Sequence, residues 1–408
     1  MSAKFFSITS LFTVVFSLCF PSLVTAQSLA QFNQGFAKDV AKQLNQMSIP
    51  GASYVIVNGK EIVAAEAFGY TDKTKKQKVT DQTVFRLASV SKPFAATLVM
   101  QLAQEGKINL TAPITQFVPD FSLETEHAAD QIKVHHVLSH TSGLLPNTYD
   151  NLLHENWSMN KIIGRFDRLD PICQPQKCYG YQNILYSFLA TVVESSQPQS
   201  YAEALQEKVF TPLKMETASV GREALLAEKN HAKPHILIRR KPTGRKLPNG
   251  KKEMRYVWRQ VKVNNDFYKV PAAAGVNASI VDLAKWLQAN MGYAPDVLSA
   301  DLISRVTTPK IRTKKDLRRR HWRALIDDAH YGYGWRIYQI DDYRLIYHAG
   351  WVQGYRAEIG YSPELDIGFA MLLNAESNVI SEISTQFWQH VFEQASQKSD
   401  EQYQASAD

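Results

Sequence analysis

Phe85-Arg86-Leu87-Ala88-Ser89-Val90-Ser91-Lys92-Pro93-Phe94 is the stretch on which the reading of this chain turns. Phe85-Arg86-Leu87 is strand-like. From about Ser91 to Glu105 the pattern is an apolar helix carrying Phe94, Leu98, Val99 and Leu102, stopped by Gly106. Ser89 falls at the junction, at the first turn of a buried helix, where the positive field of the N-terminus favours an alkoxide. Lys92 follows three residues later, on the same face and one turn on, so its nitrogen can approach the serine oxygen. Desolvation lowers the pKa of a buried lysine and favours the free amine. An S-x-x-K tetrad by itself recurs by chance on helix surfaces; its place between a strand and an apolar helix gives it weight.

Two more motifs carry chemistry. In Tyr181-Gln182-Asn183, a tyrosine beside a lysine cation has a lowered pKa and can serve as general base. The asparagine amide donates and accepts, so Asn183 can hold a lysine and a substrate amide together. The structural alternative is a loop tyrosine capping the next helix, Ile184 to Glu194. His348-Ala349-Gly350 ends a strand-like segment, and Trp351 follows. Gly350 admits close backbone approach to a strand edge, and N–H groups there can face a developing oxyanion. An ordinary hairpin residue followed by a turn is the other reading.

Three further landmarks stand in register with these: Gly106 to Pro113 followed by Val118-Pro119, His136-Val137-Leu138-Ser139-His140-Thr141-Ser142-Gly143-Leu144, and Ala273 to Ser279 with Asp282-Leu283. Tyr333-Gly334-Trp335, Gly354-Tyr355 and Pro363 complete the series. Order and spacing resemble the penicillin-binding and serine β-lactamase superfamily, closest to its branch of class C β-lactamases, secreted DD-peptidases, D-aminopeptidases and related esterases. The resemblance covers nearly the whole mature chain. It implies an α/β (α+β), β-lactamase/transpeptidase-like fold, with an antiparallel sheet flanked by helices and an inserted all-α domain. It implies Ser89 as the acylated nucleophile, Lys92 and Tyr181 as the proton-handling pair, and Asn183, His348 and Gly350 as substrate-binding residues. The oxyanion hole is then the backbone N–H groups of Ser89 and Trp351. His140 is read as structural, a loop-closing histidine that satisfies backbone groups. No metal or organic cofactor is implied.

The chain departs from the family at its third motif. His348-Ala349-Gly350 stands where β-lactamases of this group have Lys-Thr-Gly. An unperturbed histidine is mostly neutral at pH 7, and Ala349 has no hydroxyl. Losing such donors weakens recognition of a carboxylate by about 1–3 kcal/mol each, which argues against efficient β-lactam hydrolysis. An acidic deacylation base of the class A type is not evident, so deacylation falls to Tyr181 and Lys92.

The rest of the chain sets the context. With 408 residues, 45% hydrophobic and 21% charged, it has an ordinary globular composition and room for two or three folding units. Residues 1–26 carry one charge, Lys4, an apolar run from Phe5 to about Phe20, and Val24-Thr25-Ala26 at the end, the pattern of a signal peptide cleaved after Ala26. An uncleaved anchor is the alternative. Cleavage implies a periplasmic or secreted protein. Cys173 and Cys178 are then the only mature cysteines. In an oxidising compartment they are read as a disulfide pinning a short loop, against reduced thiols or a metal site.

Residues 29–46 read as an amphipathic helix, and residues 51–57 and 61–68 around Asn58-Gly59 as a β-hairpin. Segments 333–340, 343–348, 355–361 and 366–373 read as strands, and Ile380 to Phe392 as a helix. The tail 396–408 is expected to be disordered. The expected organisation is a discontinuous α/β domain, 27–85 with 271–395, and a mainly helical domain, 86–270, with a cleft between them.

Net charge is +7. Residues 233–262 hold eleven Lys or Arg and one acid, and residues 310–323 hold eight and one. The first segment reads as a protruding basic hairpin. A solvated surface is the plain interpretation of both segments; contact with an anionic envelope surface is the sharper one. Nucleic acid is not expected as a partner.

The expected function is a secreted serine hydrolase acting through an acyl-enzyme on a small-molecule or peptide substrate: D-amino-acid peptides of cell-wall origin, or small esters. A true class C-like β-lactamase or penicillin-binding DD-peptidase is the alternative on the same residues. A non-catalytic envelope-binding scaffold on a hydrolase fold is the third reading.

Overall fold

Along the first strand, Ala52, Tyr54 and Ile56 alternate with Val55 and Val57, and all five are fully buried. A strand buried on both faces needs cover on both, and the two ends of the chain and its middle supply it. The computed structural model describes residues 24–246, 250 and 252–407. Of the expected leader, residues 1–26, the part up to Leu23 lies outside the described residues; Thr25 caps the helix that Ala26 begins.

Strand β1 (Gly51–Asn58) turns through Gly59 into β2 (Glu61–Gly69), the hairpin anticipated from Asn58-Gly59. A small sheet joins β3 (Phe85–Arg86), β7 (Val276–Ala278) and β4 (Ser219–Val220), with β7 in the middle. Strands β5 (His235–Lys246) and β6 (Lys252–Gln260) form the basic hairpin as a two-stranded sheet, tied to the rest of the fold at its base by a bridge between His235 and Ala375. Its anticipated turn falls mostly on residues outside those described. At its base the Trp258 indole N–H donates to Met47 O at 2.8 Å.

The C-terminal part adds β8 (Ile311–Arg312), β9 (Asp328–Tyr331), β10 (Arg336–Ile340), β11 (Tyr343–Val352), β12 (Tyr355–Ser362) and β13 (Ile367–Leu373). The large sheet is antiparallel, in the order β2-β1-β13-β12-β11-β10-β9-β8. The N-terminal and C-terminal parts of the chain therefore meet one strand in from the β2 edge, where Ala52 faces Leu373 and Asn58 faces Ile367.

Helices Ala26–Gln46 and Val379–Ala407 cover one face, packing Phe36, Val40, Phe387 and Val391 on Tyr54, Ile56, Phe369 and Met371. Helix Ile280–Gln288 covers the other, against Val55, Val57, Ala370 and Leu372. Helix Ser91–Gln104 lies behind it, with Phe94 stacked on Trp286 at 4.1 Å between ring centroids. Truncating either ring to alanine in such a core costs about 3–5 kcal/mol.

Three expectations are corrected. The segment 333–340 is not one strand: Gly334, at φ +75°, turns the chain and β10 begins at Arg336. Strand β11 runs past residue 348 to Val352, so His348-Ala349-Gly350 lies inside a strand rather than at its end. The C-terminal helix continues to Ala407, through the tail expected to be disordered. Strands β8 and β9 went unanticipated because two residues, and the polar run Asp328-Ala329-His330, carry no apolar alternation.

Candidate active site

Ser89 sits on a short 3-10 turn, Ala88–Val90, that leads into the buried helix Ser91–Gln104. The preceding Ala88 is held at φ +51°, a left-handed conformation that costs a non-glycine residue about 1–3 kcal/mol. Local bonds hold it there. Ser91 Oγ donates to Ala88 O at 2.6 Å and accepts from Val276 N at 2.9 Å, and Leu87 N donates to Val276 O at 3.0 Å.

Strand β11 closes over this turn at Gly350. A β-carbon there would lie 2.2 Å from Leu87 O and 3.1 Å from Ser89 N. Only glycine lets the strand approach so closely, which brings its backbone beside the Ser89 N–H. The β10 ladder stops at Arg336 opposite Tyr347, so residues 348–352 of β11 pair with β12 alone and leave an edge toward the cavity. Gly350→Ala is expected to push β11 off the turn. Labelling of Ser89 by a fluorophosphonate should slow about 100-fold, the loss that a 1 Å misplacement produces, with circular dichroism unchanged. Wild-type labelling in that variant would show the close approach to be dispensable.

Lys92 is fully buried. Its Nζ lies 3.4 Å from Ser89 Oγ, 2.8 Å from Asn183 Oδ1 and 3.1 Å from Ala273 O. Desolvation holds its pKa well below the ordinary 10.5, helped by Arg336 and opposed by Asp150. A neutral amine has two hydrogens and one lone pair. Asn183 Oδ1 and Ala273 O are acceptors only and take the hydrogens, so the lone pair is left for the Ser89 hydroxyl.

Asn183 opens the helix Asn183–Ser196, with Tyr181 just before it. Its Nδ2 donates to Asp150 Oδ2 at 2.7 Å, which settles the orientation of the amide. Asp150 begins the short helix Asp150–His154; burial raises its pKa, against the Asn183 hydrogen bond. The Tyr181 ring carries Lys92 Nζ at 4.5 Å from its centroid, and the Ser89 hydroxyl lies near enough to the phenol to lower its pKa. Here the expectation reverses. Burial raises the Tyr181 pKa above its ordinary value, and the Ser89 hydroxyl and Arg336 only moderate the rise. The lysine expected to lower it is itself driven toward neutrality, so Tyr181 is a phenol at neutral pH.

His348 is a second correction. It is fully buried, with Nδ1 on Ala349 O at 3.0 Å and Nε2 on the Tyr331 hydroxyl at 3.1 Å. The carbonyl only accepts, so Nδ1 carries the proton and Nε2 accepts. Desolvation lowers its pKa well below 6.5. His348 lies behind the cavity wall, with both nitrogens engaged, and not on the wall where a substrate-binding role would put it. His140, equally buried, accepts from Gln182 N at 3.2 Å and has its ring 4.3 Å from that of Tyr181.

The cavity in front of Ser89 measures about 1120 Å³ and is lined by Asp150, Tyr181, Asn183, Ala349, Gly350 and Trp351, among others. Trp351 is 58% exposed, with the Arg356 guanidinium 4.4 Å over its ring. Cys173 and Cys178 are joined by a disulfide, and Cys178 reaches the cavity rim. Arg312, Lys314, Lys315 and Arg319 also line the wall. The basic segment 310–323 thus turns part of its charge toward the cavity, whereas none of the described residues of the hairpin 233–262 lines it.

Sequence reasoning missed Asp150, Arg336 and Asp316. The Arg336 guanidinium lies 5.8 Å from the Tyr181 ring and forms a buried ion pair with Asp316. Only the adjoining Tyr333-Gly334-Trp335 landmark hinted at Arg336; nothing marked Asp150. Asp316→Ala leaves the guanidinium buried without its carboxylate and should cost about 3–5 kcal/mol in urea unfolding. A loss below about 1 kcal/mol would mean that solvent already screens the pair.

A family model described as β-lactamase matches residues 36–384. Among curated proteins, protein flp of Staphylococcus aureus (strain MW2) is 22% identical over 360 residues, 86% of this chain and 66% of its own length. "Unguisins hydrolase ungD'" of Aspergillus campestris is 24% identical over 369 residues, 88% of this chain and 64% of its own. The chain thus spans just under two thirds of the length of these relatives. Among solved structures, the octameric penicillin-binding protein homologue from Pyrococcus abyssi superposes with a TM-score of 0.73 at 24% identity, over 88% of this chain and 77% of the other. A class C β-lactamase gives 0.66 at 19% identity, over 88% and 95%. At these identities the likeness is one of fold.

Proposed function

The chain belongs to the β-lactamase family, and from that premise we propose that it is a serine hydrolase that cleaves amides or esters through an acyl-enzyme on Ser89. The observation that carries the proposal is the Lys92 amine, buried, 3.4 Å from Ser89 Oγ, with both of its hydrogens committed elsewhere.

Lys92 takes the hydroxyl proton as Ser89 Oγ attacks the substrate carbonyl. The oxygen of the tetrahedral intermediate points at the N–H groups of Ser89 and Trp351 on the β11 edge, and the N-terminus of helix Ser91–Gln104 adds its field. Tyr181, protonated and in contact with Ser89, passes a proton to the leaving nitrogen or oxygen. The C–N or C–O bond breaks, leaving the acyl group on Ser89. The Lys92 ammonium hands the proton taken from Ser89 to the Tyr181 phenolate, restoring amine and phenol. Water then attacks the ester while Lys92 accepts its proton, and Tyr181 protonates Ser89 Oγ as the acid leaves. The same return of a proton from Lys92 to Tyr181 resets the site.

Substrates are short peptides, including D-amino-acid peptides of cell-wall origin, or small esters. The relative named as a hydrolase of unguisins supports a hydrolytic role. A peptidase or β-lactamase that reads a substrate carboxylate is the second version. It is favoured by the basic wall of Arg312, Lys314, Lys315 and Arg319, which supplies the positive charge that His348 does not. The anticipated leader makes the site of action the periplasm or the medium. The test is pre-steady-state release of p-nitrophenol from p-nitrophenyl acetate. The expected result is a burst stoichiometric with enzyme, then slow turnover; a linear release without burst, at a rate unaffected by blocking Ser89, would count against an acyl-enzyme.

A further inference from the structure

Register places the charges of the basic hairpin. Lys241 stands opposite Arg255 and Lys246 opposite Lys252, while Arg239 and Arg259 share the face of Lys241 and Arg255. Like charges directly opposite one another destabilise a strand pair, and a two-stranded sheet is marginal to begin with. Among the described residues no cation of the hairpin enters an ion pair. Its one acid, Glu253, accepts from the Thr243 hydroxyl at 2.6 Å instead. The arrangement costs stability that the described protein does not return, and it leaves the counter-charge to something outside. The two strands also differ in exposure. Strand β6 leans on the body through Trp258 and is half-buried over much of its length, whereas β5 is exposed at every position from Leu237 to Lys246. That exposed run holds five cations, Arg239, Arg240, Lys241, Arg245 and Lys246, and no acid. It opens on two aliphatic residues, Leu237 and Ile238, 41% and 47% exposed.

We propose that the outer strand β5 docks the protein on an anionic lipid bilayer, its cations at the lipid phosphates and Leu237 and Ile238 in the headgroup layer. Lysine and arginine stems lie along an apolar boundary while their charges stay with the anions, and each cation near such a surface adds to binding. The aliphatic pair decides between partners. A soluble polyanion pairs with the cations but leaves Leu237 and Ile238 in water, whereas a bilayer takes up both. A second copy pairing along β5 would set these cations against their own like. The hairpin is also rooted beside the site. Glu376, on the cavity wall, donates its N–H to His235 O at 3.3 Å. Pro234 packs on Gly354, next to the cavity residue Gln353, so closely that a β-carbon on Gly354 would lie 2.2 Å from Pro234 Cβ. Docking through β5 therefore holds the catalytic cavity close to the lipid surface.

The test is cosedimentation of the mature protein with lipid vesicles, free of the apolar run Phe5 to Phe20 that would enter any bilayer. The expected result is binding to phosphatidylcholine vesicles containing about one third phosphatidylglycerol, none to phosphatidylcholine alone, and release in about 0.5 M NaCl. The combined variant Arg239→Gln, Arg240→Gln, Lys241→Gln and Arg255→Gln should bind the anionic vesicles at least about 100-fold more weakly. Leu237→Ser with Ile238→Ser should weaken vesicle binding about 10-fold and leave retention on immobilised polyglutamate unchanged. Both variants should turn over p-nitrophenyl acetate as wild type does, since no described hairpin residue lines the cavity, so the outcome is independent of the acyl-enzyme reading. No binding to anionic vesicles, or equal binding to both kinds, overturns the proposal, and wild-type protein alone decides this if the variants fail to fold. Vesicle binding untouched by the four glutamines overturns it too. Vesicle binding untouched by the two serines assigns the strand to a soluble polyanion and overturns it as well.

Discussion

Ser89→Ala is expected to lose all measurable amide and ester turnover, a fall of about 10⁴-fold or more, while keeping its fold. The side chain removed is a single hydroxyl on a turn whose geometry is set elsewhere, by Ser91, Val276 and Gly350. Stability in urea should shift by less than about 1 kcal/mol, since the hydroxyl's main contact is with Lys92 at 3.4 Å. Retention of a tenth of the wild-type rate would remove Ser89 from the chemistry, and with it the acyl-enzyme.

The second large effect concerns Lys92. A base must be unprotonated to act, so kcat/KM should fall as pH drops through the Lys92 pKa and level off above it. Burial places that limb well below the ordinary lysine value of 10.5. Lys92→Arg should lose about 10²–10⁴-fold with no recovery at any accessible pH, because a guanidinium does not deprotonate. The neighbours give the limb a direction. Arg336 disfavours the ammonium and Asp150 favours it. Arg336→Met should therefore move the limb to higher pH, and Asp150→Asn to lower pH. An unshifted limb in both variants would assign it to another group.

Much of this was legible in the sequence because it is local. The strand, turn and helix around Ser89 are contiguous, and the 3.6-residue period alone carries Lys92 onto the serine's face. The hairpin at Asn58-Gly59 and the two terminal helices follow from short-range periodicity. What stayed illegible depends on closure of the fold. Asp150 reaches Asn183, and Arg336 reaches Asp316, only when separate segments pack together, and no motif marks either pair. The two reversals share a cause. The cation beside Tyr181 predicts a lowered pKa and the motif predicts a substrate contact for His348, but desolvation raises the Tyr181 pKa against Arg336, and His348 is buried, its pKa lowered by desolvation together with Arg336 and Lys92. Burial at a single position of β11 depends on where β10 ends, which the sequence pattern of neither strand reveals.

The basic wall and the acidic Asp150 corner also bear on the altered third motif. Lys-Thr-Gly puts a cation and a hydroxyl on the strand itself; here the strand carries His348 facing inward and Ala349, while the cations arrive from Arg336 and the 310–323 segment. The positive charge of the site lies off the strand, and the residues that line the cavity carry both signs of charge.

The most direct test of the central claim is to mix the purified protein with an activated ester, quench in acid during turnover, and map the adduct by mass spectrometry. The account predicts one acyl group per chain, on the peptide that carries Ser89, absent from Ser89→Ala and accumulating in Lys92→Arg only slowly or not at all. Turnover with no covalent species, or an acyl group on another residue, would contradict it.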